Sequence, residues 1–363
     1  MSIATEANST TRSRTRRRLN TNTLNRLRKI STGLLLSAAI AGVAEVFGHM
    51  APIVGAPVFA ILLGATVRGI IPLPTVYDAG ITFTSKRVLQ LAIVVLGFEL
   101  SIHEVISVGL GSLPVMLGTL GVCLIAAAIL GRFLKIPNRL TTLIGVGTGI
   151  CGASAIAAKS AVIEATGPEI AYAISTIFTF NVIAVVAFPL LGHLMGLSQH
   201  AFGLWSGTAI NDTSSVTAAG YAFGRSAGDY AIVVKLTRTL MIVPIVLGLS
   251  IYHQRKSREG STPAATPNVT SRARNAWHLV PGFIVLFLVA VGTESLGIIP
   301  KSAHHGIATG AIFLITMALA AVGLSTKYRV LRQNGLRPLF LGAILWVLVA
   351  LSSLGLQVVT GKI

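Results

Sequence analysis

Long apolar stretches without a single Lys, Arg, Asp or Glu recur along this chain, at residues 106–131, 170–199, 306–326 and 338–361. Each reaches the ~20 residues that carry an α-helix across about 30 Å of hydrocarbon. Further apolar runs, three of which hold a charge (Glu45, Glu99, and Lys235 with Arg238), predict helices near 30–47, 52–67, 89–100, 113–130, 230–251 and 277–291. The polar residues between them fall in short basic loops. Arg68, Lys86 and Arg87 mark one, Arg132, Lys135 and Arg139 the next, and Arg329, Arg332 and Arg337 the last. The positive-inside rule places such loops in the cytoplasm, and the link 103–109, with no Lys or Arg, is then external.

Two stretches interrupt this pattern. Leu143 to Ala165 carries Gly145, Gly147, Gly149 and Gly152, and each glycine costs a helix interior about 1 kcal/mol relative to alanine. A broken or re-entrant segment is expected there. Within 202–223, the run Gly207-Thr208-Ala209-Ile210-Asn211-Asp212-Thr213-Ser214-Ser215 sets an amide, a carboxylate and hydroxyls side by side. The first stretch copies its skeleton as Gly147-Thr148-Gly149-Ile150 with Ser154 four positions on. Polar runs at membrane depth are costly and mark a functional site by default, so the two stretches read as halves of one site.

Weak internal repeats of this kind are a transporter signature. Gly69-Ile70-Ile71-Pro72 recurs as Gly297-Ile298-Ile299-Pro300, and Leu96-Gly97 is echoed by Val322-Gly323. Glu169 precedes Tyr172-Ala173-Ile174 much as Asp229 precedes Tyr230-Ala231-Ile232. Counting spans, the two GIIP helices run in opposite directions. All repeat pairs become inverted if the polar stretches are re-entrant hairpins, one from inside and one from outside. The expected fold is an all-α polytopic membrane protein of about 9–11 transmembrane segments, with an inverted repeat and two broken or re-entrant helices. Full crossing by both polar stretches is the alternative.

Composition agrees: 53% of residues are apolar and only 11% charged, against roughly a quarter charged in soluble domains. The net charge of +18 does not signal nucleic acid, because much of it sits in a polar tail, residues 1–29, expected to be disordered, basic and cytoplasmic. Basic juxtamembrane tails meet the anionic headgroups of the lipid bilayer. Residues 30–363 then form a single transmembrane transport domain, with 252–275 a basic cytoplasmic linker. The run from Ile30 reads as a first membrane helix rather than a cleaved signal. Cys123 and Cys151 have no metal or redox spacing. The sequence carries no HExxH, no paired-Asp motif and no Walker A pattern, so neither a cofactor nor a metal is expected.

The candidate chemistry follows from broken helices, which expose N–H groups at a half-helix N-terminus and so attract anions. Thr148, Ser154, Thr208, Asn211, Ser214 and Ser215 are the donors at such positions. An ionised Asp212 cannot donate, and it is assigned the coupling ion, a proton or sodium. Lys235 and Arg238, spaced i, i+3, share a helix face, and the planar fork of Arg238 suits an oxyanion. A buried ion pair is the competing role for both. Glu99, Lys159, Glu164, Glu169 and Asn181 are lesser candidates.

The segment from Ser85-Lys86-Arg87 to Leu96-Gly97-Phe98, the GTGICGASAIAA and GTAINDTSSVTAAG stretches, and Lys235-Leu236-Thr237-Arg238 through Pro244 resemble the sulfate exporter family of bacterial inner-membrane proteins. The resemblance runs from about residue 35 to the end and is most specific over 140–245. It implies kinship with the bile-acid symporter and cation/proton antiporter superfamily, and with it inverted repeats and unwound helices crossing at a substrate site. The resulting expectation is a secondary active transporter in the cell inner membrane, N-terminus cytoplasmic, exporting sulfate or sulfite coupled to protons or sodium. A cation/proton antiporter or organic-anion symporter is the alternative within the class, and a membrane-embedded enzyme the alternative outside it. No enzymatic activity is expected, and assembly as a homodimer stays open.

Overall fold

The computed structural model describes residues 30–50, 55–240, 282–325 and 336–363. The tail 1–29 and the linker 252–275 lie outside them. Thirteen helices make up the described chain: α1 (Ile30–Met50), α2 (Ala56–Ile70), α3 (Asp78–Glu99), α4 (Ile102–Phe133), α5 (Asn138–Gly149), α6 (Ala153–Val162), α7 (Gly167–Leu194), α8 (Gln199–Ala209), α9 (Thr213–Phe223), α10 (Arg225–Leu240), α11 (Gly282–Ser295), α12 (Lys301–Ser325) and α13 (Leu336–Val359). Among the described residues six helices are long and apolar enough to cross a membrane, namely α1, α3, α4, α7, α12 and α13, while α2 and α11 are shorter apolar helices. Their outward faces carry bare hydrocarbon: Leu110, Ile125, Phe133, Leu190 and Val359 are all exposed. This is a polytopic, all-helical membrane protein.

Two expected loops turn out to be helix. Lys86 and Arg87 fall inside α3, in a π-helical stretch, Thr84–Val88. Buried Ile81, Thr84, Val88, Ala92 and Leu96 form one stripe along this helix, so the helix continues with its charges on the outer face. The link 103–109 is the first part of α4. Ser101 accepts from the Glu104 N–H while Glu104 accepts from the Ser101 N–H, a capping box that starts the helix there. The same device opens α7 through Thr166 and Glu169.

The helices pack as two groups. In the first, α12 lies against α2 and α3, and α11 lies against α3. Gly323 of α12 is pressed on the backbone of α2 at Ile61 and Ala65, and Gly97 of α3 on α11 at Phe287 and Ala290. The echoed glycines therefore make matching contacts, α12 on α2 and α3 on α11. In the second group, α4 packs on α5 and α13, and α10 on α8 and α9. One cluster of buried side chains joins the groups, with Tyr221, Ile232 and Leu236 meeting Ile93, Phe287 and Leu319. At its edge Arg225 of α10 pairs with Glu99 of α3 at 3.3 Å, and His304 of α12 reaches the other Glu99 oxygen at 3.4 Å.

Candidate functional site

The two polar stretches are re-entrant hairpins that open toward opposite ends of α7. The α8–α9 hairpin returns to where it began. Gln199 at its start donates to the Phe223 carbonyl at its end, and the Phe202 and Phe223 rings stack at 4.0 Å. Gly192, near the end of α7, lies under both rings. At the α5–α6 hairpin, Ile156 of the return arm lies over Gly147 of the entering arm. Leu140 and Ile163, near its two mouths, share a cluster with Ala173 and Ile177 from the beginning of α7.

Only one of the four glycines in the first stretch breaks the helix. Gly145, Gly147 and Gly149 stay inside α5 and give room to neighbours, Gly145 to Ala127 and Gly149 to Leu120 and Cys123. The break runs over Ile150 and Cys151 to Gly152, whose φ of 66° and ψ of −129° are glycine's territory. In the second hairpin, Gly207 likewise serves packing, against Ala231 and Val234. The turn over Ile210–Asp212 uses no glycine, because the Asp212 carboxylate accepts the Ser214 and Ser215 N–H groups at 3.0 and 3.4 Å and caps α9.

The two tips meet. A Cβ placed on Gly152 would stand 3.5 Å from the Asn211 carbonyl oxygen. Four half-helix ends converge there: the C-terminal ends of α5 and α8, each a partial negative charge, and the N-terminal ends of α6 and α9, each a partial positive one. Both cations of α10 serve the negative ends. Arg238 donates one terminal nitrogen to the Thr208 carbonyl and the other to that of Gly149. Lys235 donates to the Ile210 carbonyl at 2.9 Å and the Ile150 carbonyl at 3.5 Å. Each cation thus ties the two hairpins together, and both are buried.

The hydroxyls divide. Thr208 spends its own on the Leu204 and Trp205 carbonyls and on Ser353 of α13, 2.7 Å away. Ser214 gives its hydroxyl to Asp212. Ser154, the second residue of α6, is exposed, and no side-chain oxygen caps that helix. Asn211 is 1% exposed and its N–H donates to Asn181 at 3.2 Å, yet both polar atoms of its side chain lack a partner among the described residues. Thr148 Oγ1 and Asn181 Nδ2 are buried and unpartnered as well. Buried polar atoms are nearly always hydrogen-bonded, which makes these atoms candidate ligand contacts. Of the lesser candidates, Glu99 belongs to the junction between groups, Glu169 caps α7, and Lys159 and Glu164 lie on α6 and just after it. Sequence reasoning missed Ser353 and Gln357 of α13, polar residues one helical turn apart in a charge-free run, whose side chains bond at 3.4 Å.

Two hairpins entering from opposite ends and meeting at a polar, doubly cationic centre define a class: a multi-pass membrane protein with a polar crossing inside it. The family described as Conserved hypothetical protein 698 matches residues 32–342, and the chain belongs to it. A UPF0324 membrane protein of Clostridium tetani is 42% identical over 342 residues, covering 93% of this chain and 99% of the relative. One of Streptococcus pyogenes serotype M6 is 43% identical, covering 92% and 98%, and one of Fusobacterium nucleatum is 40% identical, covering 91% and 98%. These names place the relatives in a membrane and specify no substrate.

Proposed function

We propose that this protein is a secondary active transporter of the cell membrane that exports a small inorganic oxyanion, sulfate or sulfite, coupled to protons or sodium, with its N-terminus in the cytoplasm. The observation that carries the reading is the charge at the crossing. Two buried cations, Lys235 and Arg238, stand at the crossing, with one carboxylate, Asp212, near Lys235. The partial charges of the four helix ends cancel in pairs. With Lys235 protonated, one positive charge is left over, beside a helix N-terminus without a side-chain cap and the unpartnered amide of Asn211. An anion is what neutralises such a site.

In this reading the anion takes the N–H groups at the start of α6, the Ser154 hydroxyl and the Asn211 and Thr148 side chains. Arg238 and Lys235 act on it chiefly through their charge, since each already directs two hydrogen bonds to carbonyls. The junction at Glu99–Arg225 marks the boundary along which one helix group would move against the other to open the site alternately. Counterflow of labelled sulfate and of labelled sulfite into preloaded proteoliposomes tests the reading. Uptake that saturates and is competed by the other oxyanion is expected. Proteoliposomes as tight to both anions as protein-free vesicles would overturn it.

A further inference from the structure

The crossing contains two cations of different chemistry in equivalent positions, and the difference has a use. Arg238 spans the Gly149 and Thr208 carbonyls, and Lys235 spans those of Ile150 and Ile210, so each holds both hairpin tips at once. A guanidinium keeps its proton at any physiological pH, whereas an ammonium can hand one on. Resting on the transporter reading above, we infer that Lys235 is the proton-carrying group of the cycle, with Arg238 the permanent clamp and Asp212 a helix cap.

The geometry leaves Asp212 poorly suited to that task. Its carboxylate is already engaged as the cap of α9, accepting two backbone N–H groups and the Ser214 hydroxyl. Lys235 touches carbonyls instead and has no carboxylate partner among the described residues: the charged and titratable groups around it are Arg238 on its own helix, Cys151 from the first break and Asp212 from the second. From α4 comes Cys123, which faces Arg238. When the ammonium gives up its proton, one N–H bond breaks, the electron pair stays on Nζ, and the proton passes to water in whichever vestibule is open. The neutral amine keeps two N–H donors, so its bonds to the Ile150 and Ile210 carbonyls lose only their charge assistance, and the crossing loses the positive charge that held the anion. Anion and proton therefore arrive together and leave together. A divalent oxyanion travelling with one proton still carries one net negative charge, which an interior-negative membrane drives outward.

The test is proton uptake on anion binding, followed with a pH indicator in weakly buffered detergent solution from mildly acidic to mildly alkaline pH. The probes are sodium sulfate, sulfite and thiosulfate, each with a parallel thermal-shift titration for binding. Wild-type protein should take up protons as the anion binds, approaching one per anion at the most favourable pH. Lys235→Arg should bind the anion and take up at least fivefold less. Asp212→Asn and Cys151→Ser, which remove the other titratable neighbours, should keep the uptake and decide the matter even if Lys235→Arg does not fold. Loss of uptake in either of those two, or anion binding by the wild type with no proton taken up, overturns the assignment of Lys235 alone. If none of the oxyanions binds, the transporter reading falls and this assignment falls with it.

Discussion

Gly152 and Asn211 lie in van der Waals range across the centre of the protein, close enough that a methyl group on the glycine would sit 3.5 Å from the Asn211 carbonyl oxygen. The contact is tolerable; the backbone is not, because φ at Gly152 is 66° with ψ at −129°. Gly152→Ala is expected to cost about 1–3 kcal/mol, the usual strain of a side chain in that region, seen as a lower melting temperature in detergent. Gly121→Ala is the control. It lies inside α4 with nothing within 4 Å of the added carbon, and it should be neutral or stabilising by up to about 1 kcal/mol.

Asn211 separates function from stability. Both polar atoms of its side chain are buried without partners, and removing an unsatisfied polar group in favour of an apolar one of similar size is close to neutral or stabilising. Asn211→Leu should therefore melt at or above the wild-type temperature while losing most anion counterflow in proteoliposomes. Parallel loss of both properties would show that the amide has a structural partner.

Arg238 should tolerate no conservative replacement. Its fork spans two carbonyls on two hairpins, and a lysine presents a single ammonium on a shorter reach. Arg238→Lys swaps a fork matched to the two carbonyls for a shorter, single-point ammonium, weakening at least one of the two bonds at a cost of about 1–3 kcal/mol, read as a fall in melting temperature together with slower counterflow.

Asp212 offers a test of capping as such. Asparagine caps helices about as well as aspartate, and alanine loses about 0.5–2 kcal/mol. Asp212→Asn should match the wild type in thermal unfolding, and Asp212→Ala should fall below it by that amount.

The sequence displayed the two interruptions clearly, because glycines and hydroxyls stand out against hydrocarbon, and the shared Gly-Thr-x-Ile skeleton foretold that Ile150 and Ile210 occupy matching places. It did not disclose which glycines bend the chain. Gly145 and Gly149 are needed for close packing and Gly152 for its φ angle, a distinction that depends on neighbours from α4 and from the other hairpin. Lys235 and Arg238 were visible as a buried basic pair, but their partners are main-chain carbonyls, which every residue has and no side-chain pattern reveals. The starts of α4 and α7 were legible in principle, since Ser101 with Glu104 and Thr166 with Glu169 have capping-box spacing; the polar character of 103–109 pointed instead to a loop. Lys86 and Arg87 misled for a related reason: a charged pair marks a loop only when it interrupts the buried stripe, and in α3 it does not.

The α8–α9 hairpin is buried at every residue from Ala201 to Ile210 and again from Ser214 to Phe223. This bears on biosynthesis. A segment with no lipid-facing surface gains nothing from partitioning into the bilayer by itself, and its open carbonyls at the tip would be unpaired there. The ammonium and guanidinium of α10 face the same difficulty from the other side, as lone charges without those carbonyls. The hairpin and α10 supply what each other lacks, so residues 199–240 are expected to leave the insertion machinery as one unit, held until Arg238 has emerged.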